Sequence, residues 1–312
     1  MTGRKADRKA SRCRRVWQAA ALMLAFALPL HTGLRAAPAE DSVIGELGSV
    51  TTSYEDTLHD VALASDLGFV ELVAANPGVD PWLPGEGTLV LLPTRHVVPD
   101  APRKGVVINL PELRLYYFPP DGGAVQTYPL GVGRAGLTTP VGDTRIVRKQ
   151  EKPTWYPTKS TRADNPDLPA VVPPGPDNPL GEYAMYLGWP TYLIHGTNNP
   201  WGIGRRVSRG CIRMYPKDVE RLFPQIRPGT PVTVVDQPIK LGWWDGDLFI
   251  EAHPTQRQVD QIEATGDFEP VDDVSLTERV LAAAGEAARR VDWTRVRQAA
   301  TQRRGYPVQI TR

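Results

Sequence analysis

His195-Gly-Thr-Asn-Asn-Pro-Trp-Gly-Ile-Gly-Arg-Arg-Val-Ser208-Arg209-Gly210-Cys211-Ile212-Arg213-Met214 is the segment of this chain in which chemistry is concentrated. A catalytic thiol works as its thiolate and needs a base or a cation beside it. His195 can supply that base, because it ends a strand-like run, Thr191 to Ile194, from which its side chain can project at a sheet edge. Glycines at 202, 204 and 210 let the intervening loop turn tightly enough to bring Cys211 back beside it. Gly210 also leaves room for a substrate carbonyl to reach the amides of Gly210 and Cys211, an oxyanion hole worth roughly 3 kcal/mol per donor. Arg213, always charged, suits either a substrate carboxylate or the lowering of the thiol pKa. Ser208 reads equally as a substrate contact and as a turn-stabilising hydroxyl.

The two cysteines sharpen this reading. Cys13 lies among Arg4, Lys5, Arg8, Lys9, Arg12, Arg14 and Arg15, a basic stretch followed by an apolar run from Val16 to Leu30 and the small-residue site Ala37-Pro-Ala39. That order predicts a secretory signal peptide over residues 1–39, the apolar run being shorter than the roughly 20 residues of a membrane span. Export to the periplasm then leaves Cys211 as the single thiol of the mature chain, with no intramolecular disulfide open to it. The chain has 312 residues, 41% hydrophobic and 23% charged, with a net charge of +1. This composition suits a folded protein and provides no basic excess for binding nucleic acid. His31, His59, His96 and His253 read as ordinary residues without zinc-site spacing, so neither a metal nor an organic cofactor is expected.

Outward from the motif, the chain divides into three parts. Residues 42–95 show a strand, a helix containing Leu58, Val61 and Ala62, a second helix that stops at Asn76-Pro77-Gly78, and a strand from Thr88 to Leu92, giving a small βααβ unit. Residues 103–236 are predominantly β, with strands at Val106 to Asn109, Arg114 to Phe118, Ala124 to Leu130 and Pro231 to Val235. Residues 150 to 180 form a Pro-, Asp- and Asn-rich loop carrying Trp155, long enough to suggest a binding loop. Trp155 and Trp201 are candidate groove residues, with plain packing as the alternative for each. Residues 237–312 contain a hairpin, a polar segment and one helix from Thr277 to about Ala300.

Two resemblances follow. Asp56-Thr57-Leu58, Leu72, Ala75-Asn76-Pro77, Pro84-Gly85 and Leu92-Pro93 resemble the LysM module, a peptidoglycan-glycan binder, although Glu55 stands where such modules usually carry glycine. His-Gly-Thr followed by Ser-Arg-Gly-Cys-Ile-Arg-Met resembles the signature of YkuD-type L,D-transpeptidases, and Pro153-Thr154-Trp155 and the run Leu168 to Gly181 resemble their periplasmic Gram-negative branch. The second resemblance implies a β-sandwich-like catalytic domain, which with the small α+β LysM-like domain and the C-terminal helix makes a mainly β chain. It implies Cys211 as nucleophile, His195 as base and the Gly196 carbonyl as the group orienting the imidazole. In such enzymes the thiol attacks the bond between the third residue, often diaminopimelate, and D-Ala of a peptidoglycan tetrapeptide stem. An amine of another stem, or a lysine of a Braun-type lipoprotein, then resolves the acyl-enzyme. Arg209 departs from relatives that carry His there. A thiol hydrolase acting as an L,D-carboxypeptidase or lipoprotein detachase, and a silent wall-binding protein, are the competing readings. Oligomeric state is not readable from the sequence.

Overall fold

The computed structural model describes residues 41–312, so the expected signal peptide lies outside the described residues. The first unit begins with β1 (Val43–Gly45) and β2 (Gly48–Thr51), followed by α1 (Leu58–Ala64), α2 (Phe69–Ala75), β3 (Leu89–Leu92) and β4 (Arg95–Val97). Thr57 caps α1: its hydroxyl accepts from the Asp60 amide while the Asp60 carboxylate accepts from the Thr57 amide. Such a reciprocal cap is worth about 1 kcal/mol. Asn76 ends α2 and ties it to β3, donating to the Leu72 and Leu91 carbonyls and accepting from the Leu91 amide. The pair β2 and β3 is antiparallel, so the unit is βααβ as expected, while β1 pairs with β4.

The central sheet is built from β5 (Gly105–Asn109), β6 (Arg114–Phe118), β7 (Gln126–Gly133) and β8 (Gly142–Glu151). After α3 (Lys159–Asp164) it continues through β9 (Tyr183–Leu187), β10 (Leu193–His195), β11 (Arg206–Ser208) and β12 (Ile212–Met214), then α4 (Pro216–Leu222) and β13 (Pro231–Val235). The strand order β7-β12-β10-β9-β8-β13-β5-β6 returns to β7, so the sheet closes on itself like a barrel. A β-sandwich-like arrangement was the expectation; one closed sheet takes its place. The reason lies in β7, whose first half pairs with β6 and whose second half pairs with β12, joining what would have been two sheet edges. Inward and outward alternation is the same in a sandwich and in a closed sheet, so periodicity alone does not separate them.

The C-terminal part holds β14 (Ile239–Trp244), β15 (Asp247–Ala252), α5 (Gln256–Thr265), α6 (Leu276–Ala284), α7 (Trp293–Gln302) and β16 (Val308–Gln309). The hairpin of β14 and β15 is as expected, and β16 adds to its edge. The single expected helix is instead α6 and α7, separated by Gly285 at φ 50° and a 3-10 turn, with α7 restarted by the Asp292 carboxylate accepting from the Thr294 and Arg295 amides. Within the polar segment, α5 is closed at its start by a Thr255–Gln258 cap and at its end by left-handed Gly266.

One apolar core runs from Leu58, Leu72 and Val90 of the first unit to Ile108, Ile146, Met185, Ile194 and Ile212 of the central sheet. A second, formed by Ile239, Ile250, Leu276, Val280, Val296 and Ile310, closes the C-terminal part. Among the described residues no helix is long and apolar enough to cross a membrane.

Candidate active site

Strands β10 and β12 run parallel, with Ile194 opposite Ile212 and His195 opposite Arg213. Side chains alternate along a strand, so the fully buried Ile194, Ile212 and Met214 enter the core, while His195, Arg213 and the preceding odd position, Cys211, share the other face. The sheet register thus places thiol, imidazole and guanidinium together, although 15 positions of chain separate Cys211 from Gly196.

His195 is 3% exposed, and its Nδ1 lies 2.6 Å from the Gly196 carbonyl oxygen. A proton on Nδ1 donated to that carbonyl leaves the Nε2 lone pair as the basic position. Burial, reinforced by Arg213, lowers the imidazole pKa to about 4, against the opposing pull of the Gly196 and Leu180 backbone. Burial also raises the Cys211 thiol, with the Leu193 amide and Arg213 pulling it partly back. At neutral pH the resting pair is therefore a neutral imidazole and a thiol. Cys211 Sγ lies 3.4 Å from the Thr191 carbonyl oxygen, and Thr191 itself sits at φ 70°, a conformation that costs a β-branched residue about 1 kcal/mol or more.

Arg213 is partly buried, and its Nε has no hydrogen-bond partner among the described residues. Burial lowers its pKa and the neighbouring thiol raises it. A partly buried guanidinium with no ion-pair partner among the described residues, on the same face as a thiol and an imidazole, has the chemistry to bind an anion.

Ser208 is 1% exposed and stabilises the turn: its hydroxyl donates to the Cys211 carbonyl at 2.5 Å and accepts from the Gly210 amide at 3.1 Å. This corrects the two-donor oxyanion hole, because the Gly210 N–H is already bound to Ser208. The Cys211 N–H has no backbone acceptor among the loop and turn hydrogen bonds of the described residues. Gly210 is at φ 106°, and a Cβ there would lie 2.7 Å from Tyr192 Cε1, so its lack of a side chain is required by packing. The Gly210 carbonyl accepts from the buried Thr139 hydroxyl at 2.8 Å, and that hydroxyl accepts from the Gly133 amide. Thr139 and Thr191 are supporting residues the sequence did not disclose, since each acts through a contact distant along the chain.

The remaining candidates are placed differently. Arg209 pairs with Asp164 of α3. Trp155 forms an isolated antiparallel bridge with Val172 that ties the base of the long loop. Trp201 stacks on His59 at 3.7 Å and lies near Trp82, so its contacts are with the first unit. The same loop abuts α2 through its backbone: a Cβ on Gly204 would lie 2.0 Å from the Phe69 amide, and Val70 donates to the Gly204 carbonyl. Tyr215 and Lys217, just past the motif, donate to the Leu67 and Leu63 carbonyls. A cleft of about 390 Å³ adjoins the site through Gly196 and Thr197 and is lined further by Asn178, Tyr183, Pro216 and Val219. A larger hollow, about 640 Å³, lies beside Pro99, Gln237 and Arg279, away from this chemistry.

His96 and His253, read as ordinary, meet in a buried ionic cluster with Glu112, Glu251, Lys240 and Tyr116. His96, Glu112 and Glu251 offer ligand atoms within 4.8 Å of one another. Lys240 Nζ lies 2.9 Å from Glu112 and 3.1 Å from Glu251, so both carboxylates already have a cation beside them.

Residues 103–234 match the family model described as the L,D-transpeptidase catalytic domain, YkuD. The chain is 40% identical over 305 residues to a protein of Escherichia coli (strain K12) named Probable L,D-transpeptidase ErfK/SrfK, covering 93% of this chain and 96% of that one. It is 40% identical over 250 residues to Probable L,D-transpeptidase YbiS of the same strain, covering 78% and 80%. A solved structure of the catalytic domain of the E. faecium L,D-transpeptidase is 22% identical, covering 44% of this chain and 100% of that one, with a TM-score of 0.34.

Proposed function

The chain belongs to the L,D-transpeptidase family and is an L,D-transpeptidase, and from that premise we propose that Cys211 is its nucleophile and His195 its base. The observation that supports this most directly is the register of β10 on β12, which sets His195, Arg213 and Cys211 on one face. His195 Nε2 takes the thiol proton as Sγ attacks the carbonyl carbon of the third stem residue. The Cys211 N–H, and not that of Gly210, meets the developing oxyanion. The C–N bond breaks, the proton passes to the departing amine, and D-Ala leaves a thioester on Cys211. The Gly196 carbonyl holds the imidazole in the tautomer this requires.

Arg213 binds a carboxylate of the donor stem, because its guanidinium is partly buried and has no counter-ion among the described residues. Its positive charge also offsets part of the burial that holds the thiol protonated. An amine of a second stem or of a lipoprotein lysine resolves the thioester in this reading, and the enzyme works in the periplasm after export. The βααβ unit, LysM-like in order, serves at least to hold the loop between His195 and Cys211, through the Gly204 and Trp201 contacts described above.

Incubating wild type and Cys211→Ala with a tetrapeptide stem tests this reading. Wild type is expected to release D-Ala and gain the mass of a thioester-bound tripeptide, whereas the variant does neither. Equal D-Ala release by both proteins would refute the assignment of Cys211. Cross-linked or lipoprotein-bound products with added amine indicate transfer, and tripeptide alone indicates the hydrolase.

A further inference from the structure

Asp164 is the last residue of α3, a six-residue helix with no buried side chain in the middle of the long loop between β8 and β9. The loop is anchored at its base. Asn178, fully buried, donates to the Pro153 and Pro173 carbonyls, and Trp155 bridges to Val172. Between those anchors, the polar contact that joins α3 to the body among the described residues is the Asp164 carboxylate. It pairs with Arg209, and Arg134 Nη2 lies 3.8 Å from the same oxygen.

Both arginines are tied through the backbone to the segment that carries the thiol. Arg209 precedes Cys211 by two residues, at most about 7 Å of extended chain. The Arg134 amide donates to the Ser208 carbonyl, and the turn it opens places the Leu137 and Thr138 carbonyls against Gly210. Two guanidinium groups converging on one carboxylate are a carboxylate site, presently filled from within the chain.

We propose that Arg134 and Arg209 form a subsite for the C-terminal carboxylate of the donor stem, and that Asp164 is an internal carboxylate which the substrate displaces. The proposal rests on the transpeptidase reading above. Its assignment to the C-terminal carboxylate follows from exposure: Arg134 is 52% and Asp164 56% exposed, at the rim, where a leaving amino acid must depart to solvent. Arg213, on the buried face, serves a different carboxylate of the stem. When the C–N bond breaks, D-Ala carries its carboxylate away and the two arginines are free for Asp164 again. Displacement of Asp164 releases α3 from the body, so entry of the donor and opening of the loop are one exchange of carboxylates.

The test measures binding to the Cys211→Ala protein, so that it does not depend on turnover. The ligands are a tetrapeptide stem ending in free D-Ala and the same stem ending in D-alaninamide. The free acid is expected to bind about tenfold tighter, the size of one exposed charge-assisted contact. Adding Arg209→Gln or Arg134→Gln should largely abolish the preference for acid over amide. Adding Asp164→Asn should tighten the acid several-fold and leave the amide alone. Equal binding of acid and amide, or a preference that survives the loss of both arginines, overturns the proposal. So does an Asp164→Asn protein that binds the acid more weakly, since the loop would then be needed closed. D-Ala release by the wild-type enzyme reports separately on the transpeptidase reading.

Discussion

Around Lys240 the protein buries two glutamates, two histidines and a tyrosine; around Cys211 it buries a histidine and part of an arginine. In the first cluster each charge meets its complement. Lys240 contacts Glu112, Glu251, the Val97 carbonyl and the Tyr116 hydroxyl, and His253 Nε2 lies 2.6 Å from Glu251. Burial alone would raise the Glu251 carboxyl, yet Lys240 and the two histidines hold it well below its ordinary value. At Cys211 the imidazole has no carboxylate partner and Arg213 has no counter-ion among the described residues. Buried ionisable residues are thus closed into a structural tie in one place and left without a counter-ion among the described residues in the other.

The largest expected effect of breaking this contrast is on the incomplete side. Replacing His195 by Gln removes the base, and kcat/KM for D-Ala release should fall about 10³-fold, with unfolding free energy little changed. In the wild type, acylation requires the neutral imidazole, so activity is present above a pH of about 4 and is lost as pH falls through it. Arg213 contributes to that low value, so Arg213→Gln should move the acid limb to higher pH. An acid limb that stays in place would show that burial alone sets the imidazole.

On the closed side, Lys240→Met leaves two carboxylates buried without a cation. Breaking a buried ion network in this way costs roughly 3–5 kcal/mol, readable by denaturant unfolding. Adding Glu112→Gln and Glu251→Gln should recover much of that loss, because the charges themselves are gone. If the single variant were as stable as the wild type, Lys240 would not be the counter-ion of the cluster.

The contrast also separates what the sequence discloses from what it withholds. The need for Gly210 is readable because its reason, a turn, is local, and the assignment of His195, Cys211 and Arg213 rests on equally local grounds, residue type and a strand end. The βααβ unit and the β14–β15 hairpin are readable because caps and alternation are local as well. The closed sheet depends on β7 changing partner midway, and the Lys240 cluster joins residues 96, 112 and 251, so neither has a signature in any short window. Ser208 shows the boundary between the two. Its role in the turn was one of two local readings, but its capture of the Gly210 amide, which removes one oxyanion donor, required coordinates.

A third buried charge shows that incompleteness alone does not mark a functional site. Asp218, in the first turn of α4, is 1% exposed, and neither carboxylate oxygen has a hydrogen-bond partner among the described residues. Burial, then the charge of Asp66, raises its pKa to about 7, against the pull of Lys217 and Arg221. Because the folded value lies above the unfolded one, the group stabilises the fold fully below a pH of about 4 and loses that contribution as pH rises through about 7. Asp218→Asn mimics the protonated form, so at pH 3, below both the unfolded and the folded value, its melting temperature should match that of the wild type. At pH 8 the wild type holds a charge the variant lacks, and the variant should melt several degrees higher, since a rise from 3.8 to about 7 corresponds to at most roughly 4 kcal/mol and each kcal/mol moves the melting temperature by about 2–4 °C in a chain of this size. Equal shifts at both pH values would mean that the carboxylate is solvated or paired in solution. A difference that opens between pH 4 and pH 7 would place Asp218 with neither the Lys240 cluster nor the Cys211 face: a buried carboxyl, 3.9 Å from Arg221 Nη1, that settles in the fold by taking up a proton.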